Sequence, residues 1–402
     1  MAAKSANLLR TITILSVVTL TAGLQVRPVS AQPLAPPPQT SNQPPASAAE
    51  IAAYEAQLAQ YHAAHDPFEK AASEYWNTIT AKRKLRSEKR AKKEAASIGD
   101  YVLVQPPVYS GPPQPTPPPS LKPKEVAPPP KYVPVIADFL KNAEIEFQFK
   151  PERPATELEF KRAYAKAAAA AGLTKDQIVR IYAFETGGNN GYDLQAGFES
   201  KKPSAHAIST ALGYNQLLHA NTVELLADKG DKFVSALRMK AKMLRGNRAR
   251  LLHKKIEILQ SMIAFTRSVP DDWPEHVRIA NTPKGLGIHA LNLDIDVGPL
   301  LQVENLATSV AFARRLGINR PLIAAELEMM NLTGDGNGFD IVVMPNSLRS
   351  QVPTANFFER NGYEANPVVI RNNTVAQLLS ATNIEMDENS MLPGAKALAS
   401  AY

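Results

Sequence analysis

Apolar positions recur every three or four residues through most of the second half of the chain, the spacing that holds them on one face of a helix turning about 100° per residue. This pattern predicts helices over 135–147, 155–171 and 174–186, then over 212–228 and 231–269, the last broken near Gly246-Asn247 into a hairpin. Two more are predicted over 302–316 and 321–330, with a polar loop at 187–207. Only 339–344 and 367–370 read as strands, and the last fifteen residues or so are expected to be loosely held. Upstream, 46–97 has helical composition, with Tyr54, Leu58, Tyr61 and His65 at helical spacing, then Phe68, Ala72, Tyr75 and Trp76. Asp66-Pro67 is expected to divide this arm into two helices, the Asp capping the second and the Pro in its first turn. Each semi-apolar stripe needs a partner, which an αα-hairpin or self-association would supply.

The fold class expected is therefore mainly α. The 33 prolines are bunched, and 99–134 reads as a polyproline spacer rising about 3.1 Å per residue. The expected organisation is a signal peptide at 1–31, a helical arm with a disordered lead-in at 32–98, and a Pro-rich linker at 99–134. A helical domain at 135–345 and a C-terminal extension at 346–402 follow.

The first 31 residues set Lys4 and Arg10 before an apolar run and end on Val29-Ser30-Ala31, the plan of a secretory signal cleaved after Ala31. That run is short for a span of about 20 residues, so no membrane span is expected after cleavage, and the protein is expected in the periplasm or cell envelope. With no cysteine, the fold must rest on packing rather than disulfides. A balance of 45 Lys and Arg against 38 Asp and Glu points to an anionic partner. Export argues against nucleic acid and for an envelope polymer or membrane surface. Two basic runs stand out, one from Lys82 to Lys93 and one from Arg238 to Lys255, the second without an acid. Each is a solvated helix face or an attachment surface for an anionic envelope polymer. The seven His residues are scattered, so neither a metal nor a cofactor is expected.

One acid is out of place. In TKDQIVRIYAFETGG, Thr174 with Gln177 makes a capping box and Gly187-Gly188 turns the chain out. Ile178, Ile181 and Tyr182 share a face, and Glu185 projects between them while Asp176 and Arg180 point away. Burial and the negative end of the helix dipole both raise the pKa of a carboxyl placed there. A carboxylic acid still protonated near neutral pH is what general-acid cleavage of a glycosidic bond requires. The alternative is that Glu185, in the last turn, curls out to water.

From Glu185 onward the sequence resembles the lytic transglycosylase family of the lysozyme superfamily, over roughly 173–338. Glu185-Thr186-Gly187 is similar to the motif in which a helix ends on the catalytic Glu. Ser209 followed by Gly213-Tyr214-Asn215-Gln216 resembles the Ser and Gly-x-x-Gln turn that opens the next helix, and 303–312 resembles an Asn-led helix under the cleft. Residues 324–336 resemble a fourth motif, normally Ala-Tyr-Asn-Ala-Gly, with Met330 where the family has Tyr. The stretch 217–304 is longer than usual and holds the basic hairpin.

The resemblance implies a lysozyme-like helical domain and cleavage of the β-1,4 bond between N-acetylmuramic acid and N-acetylglucosamine in peptidoglycan glycan strands. Glu185 would act as acid and then base, leaving a 1,6-anhydro product. It further implies that Ser209, Gly213, Tyr214, Gln216 and Asn331 bind substrate. On residue type alone, Gln216 is equally a solvent-facing amide, Ser209 a cap, Asn331 a helix cap and Tyr214 a core residue. Two rivals remain: a hydrolytic muramidase with Asp193 activating water, and a non-catalytic peptidoglycan-binding or envelope-assembly protein.

Overall fold

The computed structural model describes residues 46–118, 121, 132–198 and 205–402. The expected signal peptide, its lead-in as far as residue 45, and part of the Pro-rich run lie outside the described residues. Helix makes up 68% and no strand forms among the described residues, so the fold is mainly α. No helix among them is long and apolar enough to cross a membrane.

A 44-residue helix, α1 (Ala48–Ala91), opens the structure. Ser47 and Glu50 close a capping box at its start, and Pro67 sits inside it. The expected break at Asp66-Pro67 is absent: the helix runs on at the cost of one backbone hydrogen bond. The partner for its stripe is the Pro-rich segment, which folds back in extended form along the helix. The Tyr75 hydroxyl donates to Val104 O at 3.0 Å, and the Tyr109 ring meets His65 at 5.4 Å and Phe68 at 5.2 Å, bracketing Pro67. Residues 101–112 are thus a strap on α1 rather than a free spacer.

The second half of α1 is not a separate arm. Trp76, Ile79 and Arg86 are buried. The Arg86 guanidinium donates to Asp340 Oδ2 at 2.9 Å, Asp100 O at 3.0 Å and Asn356 O at 2.8 Å, while Arg90 takes the other Asp340 oxygen at 2.7 Å. Lys89 pairs with Asp100, Arg83 with Glu359, and Lys82 donates to Gly99 O. Much of the run from Lys82 to Lys93 therefore serves internal ion pairing, which removes those cations from an outside partner.

The body is built from α2 (Ile136–Phe147), α3 (Glu157–Ala170), α4 (Lys175–Thr186), α5 (His219–Lys242), α6 (Gly246–Thr266), α7 (Trp273–Ala280), α8 (Pro283–His289), α9 (Gly298–Arg315), α10 (Ala324–Thr333) and α11 (Asp335–Val343). Short helices α12 (Asn346–Arg349), α13 (Arg360–Glu364) and α14 (Pro367–Arg371) lead to α15 (Val375–Ser390) and α16 (Pro393–Ala401). The hairpin expected around Gly246 is α5 and α6, with α5 running unbroken through residues 228–231. Both strands expected from β-branched runs are helices. In α11 residues 338–342 are all buried, and in α14 the Asn366 side chain caps Val368 N and Val369 N ahead of the proline turn. Strand propensity has no pairing edge to act on in an all-helical core.

The C-terminus is firmly held, contrary to expectation. Helix α15 packs along α4 and α16 on α3 and α4. Ala395 and Leu398 are fully buried, and the Tyr402 hydroxyl donates to Leu173 O at 2.5 Å. Residues 346–402 thus belong to the same body.

Candidate functional site

The Thr174–Gln177 capping box forms, with Gln177 N donating to Thr174 Oγ1 at 3.2 Å, and Gly187 leaves the helix at φ 64°. Ile178, Ile181 and Tyr182 are fully buried. The opposite face is covered too: Arg180 pairs with Asp387 of α15 at 2.5 Å. The turn after Glu185 is clamped from the C-terminal end, since Ala395 N donates to Gly188 O at 2.9 Å and Gly394 N to Asn189 Oδ1 at 3.0 Å. A side chain at Gly188 would stand 2.3 Å from Asn389 O, so glycine is needed for this close approach.

Glu185 points at α10. Asn331 Nδ2 donates to Glu185 Oε1 at 2.8 Å, and Asn331 is itself aimed by Asn305 Nδ2, which donates to Asn331 Oδ1 at 2.9 Å. The third neighbour is Glu328, 0% exposed, whose carboxyl stands close enough to that of Glu185 for each to shift the other. Part of the Glu185 side chain reaches the surface, while the carboxyl is crowded by protein. Desolvation pushes it up to about 7 against the hydrogen bonds from Glu328 and Asn331. Burial, followed by the charge and hydrogen bond of Glu185, holds Glu328 well above the ordinary glutamate range.

A groove of about 760 Å³ runs past this centre, within the size range of small-molecule sites, about 300–1,000 Å³. Gln216, Glu224, Trp273, Met330 and Asn331 are among its walls, and α1 closes one side with Arg83. Glu185 is not a wall residue and stands one side chain behind, at Asn331. The groove is acidic: burial, then the charges of Asp271, Asp335 and Asp228, push Glu224 up to about 7.

Of the expected site residues, Glu185 and Asn331 come together directly, and Gln216 lines the groove with Asn331. The Gln216 amide donates to Gly213 O at 2.8 Å and Leu194 O at 3.1 Å, tying it to a turn in which Gln216 itself has φ 45°. Gly213 lies behind, at φ 86°, where an added Cβ would come within 2.6 Å of Gln302 Nε2. That approach lets Gln302 bind Asn215 N at 2.8 Å, Leu212 O at 3.1 Å and Asn292 Oδ1 at 2.8 Å. Ser209 is away from the groove walls, its Oγ accepting from Ala211 N at 3.1 Å.

Tyr214 is a core residue, which corrects its expected place in the cleft. It is 0% exposed, donates to Glu157, and receives Lys161 Nζ at 3.2 Å amid the rings of Phe160, Tyr164 and Tyr182. Asp193 is held by Arg153 at 2.6 Å and is not a groove wall. Glu328 escaped the sequence reading, whereas Asn305 lies in the run 303–312 whose resemblance set an Asn-led helix under the cleft. The signal for Glu328 was the one used for Glu185, an acid on the inward side of an apolar helix, AAELEMMNLT.

Among the described residues no group of three or more His, Asp or Glu is arranged to hold a metal ion. No protein-family model, curated protein or solved structure matches the chain.

Proposed function

We propose that this protein is a peptidoglycan lytic transglycosylase on a lysozyme-like helical fold, exported to the periplasm or cell envelope. The observation that carries the reading is the Glu185 carboxyl, pushed up to about 7 at the end of a capped helix and directed by Asn331 beside a ligand-sized groove. A group half-protonated near neutral pH serves both halves of the reaction. Glu185 gives its proton to the glycosidic oxygen as the bond from muramoyl C1 breaks. It then takes the proton of the 6-hydroxyl as that oxygen closes on C1. The proton count returns to its starting value and no water is consumed.

The hydrolytic alternative is less well supported, because its candidate base Asp193 pairs with Arg153 and does not line the groove beside Asn331. A non-catalytic wall-binding role is favoured by two observations: Met330 brings no hydroxyl to the groove, and Glu185 stands behind Asn331 rather than in the wall. The tip of the α5–α6 hairpin suits attachment to an anionic envelope polymer in either case. Arg238, Lys242, Arg245, Arg248, Arg250 and Lys254 are exposed there, whereas Lys255 is buried in ion pairs with Asp294, Asp296 and Glu152. Digestion of purified sacculi by wild type and Glu185→Gln separates the readings. The enzyme proposal expects release of soluble fragments by wild type and a loss of roughly 10²–10⁴-fold in the variant. Equal release by both, or none by either, rejects it.

A further inference from the structure

The Glu185 centre contains a second buried acid for which a single-acid mechanism has no use. Glu328 and Asn331 are three residues apart on α10 and therefore project on one side of it. Asn331 Nδ2 lies between the two carboxyls, 2.8 Å from Glu185 Oε1 and 3.5 Å from Glu328 Oε1. Glu328 Oε2 is buried and receives no hydrogen bond from any nitrogen or hydroxyl donor. No Lys, Arg or His pairs with Glu328 among the described residues. An ionised Glu328 would thus combine an uncompensated buried charge, an unsatisfied oxygen and a second carboxylate at contact distance. A proton on Glu328 removes all three problems at once.

We propose that Glu328 keeps its proton throughout and donates it as a hydrogen bond to Glu185, making the pair a two-acid centre in which Glu328 positions and tunes the proton carrier. The groups facing the pair are few: α4 presents Glu185, α10 presents Glu328 and Asn331, and α9 adds the neutral Asn305 behind Asn331. Among the described residues, burial, Asn331 and the two carboxyls themselves are the causes that shift the pair. Burial alone would leave Glu185 too weak an acid to release its proton, and the Glu328 donor stabilises the anion left behind. Glu328 loses no proton in the cycle. Its role in turnover rests on the transglycosylase reading, whereas the shared hydrogen bond is a property of the folded protein without substrate.

The test follows the side-chain carboxyl carbons of Glu185 and Glu328 by NMR of glutamate-labelled protein from about pH 5 to about pH 9, in wild type, Glu328→Gln and Glu328→Leu. Glu328 is expected to stay protonated while Glu185 titrates. The Gln variant, whose amide still donates, should leave the Glu185 midpoint within about half a unit, and the Leu variant should raise it by about a unit or more, tenfold in the proton equilibrium. A Glu328 that ionises in the ordinary glutamate range, or a Glu185 midpoint that falls by about a unit in Glu328→Gln, overturns the proposal. If the Leu variant fails to fold, the wild-type and Gln titrations decide. Sacculi left intact by wild type, with the titrations as expected, would remove the enzymatic role and leave the acid pair standing.

Discussion

Asn331 is where residue-level chemistry is most exposed to experiment. Its amide donates to Glu185 and holds that carboxyl lower than burial alone would. Asn331→Leu is accordingly expected to move the Glu185 midpoint upward and carry the basic limb of the pH–activity profile with it. An unchanged profile would show that the bond has no bearing on the proton. Gly213→Ala is expected to destabilise by about 1–3 kcal/mol, since it places a Cβ in the left-handed region against Gln302, and chemical denaturation reads this directly. Glu185 was legible because one helix contained its whole signal: cap, apolar face, acid and glycines. Glu328 was hidden because its meaning depends on which helix lies opposite. Tyr214 was ambiguous for a like reason, the partners of its hydroxyl being Glu157 and Lys161 on α3.

Elements were legible wherever apolar periodicity was long, as in α4 with its capping box and in the α5–α6 hairpin with its turn at Gly246. They were misread where a local signal was strong but the tertiary setting overruled it. Pro67 reads as a helix boundary, yet Tyr109 of the strap packs on either side of it and α1 continues. Tyr109→Ala is expected to free the strap, seen as faster proteolytic cleavage within 101–118 while the body of the protein stays resistant. The basic run from Lys82 reads as a solvated face because two of its three acids, Asp340 and Glu359, are some 250 residues or more away in the chain, with only Asp100 nearby. Arg86→Ala leaves Asp340 short of one partner in a buried setting, with an expected loss of about 3–5 kcal/mol in denaturant unfolding. A change below about 1 kcal/mol would mean that α1 is only laid against the body.

Across the whole molecule, stability and function draw on the same buried acids. Glu185 and Glu224 are pushed up to about 7 and Glu328 is held well above the ordinary glutamate range, so between about 4.5, the ordinary glutamate value, and about 7 the folded state holds protons that the unfolded chain releases. Their stabilising contribution is complete below that window and is lost as pH rises through it. His289, pushed down to about 3 by burial, works in the opposite sense below about 6.5 because the unfolded chain takes up a proton there. The clean comparison is the thermal midpoint of wild type against Glu185→Gln from about pH 5 to about pH 7, where the wild type is expected to fall more steeply with rising pH. Equal slopes would mean Glu185 titrates at its ordinary value. The mainly helical class was readable from periodicity, but the single body was not. Residues 346–402 and the second half of α1 read from the sequence as lying outside it because their partners, Gly188, Leu173 and Asp340, are contributed by distant parts of the chain.

The central claim is that one proton held on Glu185 cleaves the glycan without water. Mass analysis of the sugar ends released from purified sacculi addresses it most directly. Fragments ending in 1,6-anhydro-N-acetylmuramic acid, produced by wild type and absent with Glu185→Gln, are the expected result. Reducing ends in their place, or no fragments from wild type, would contradict it.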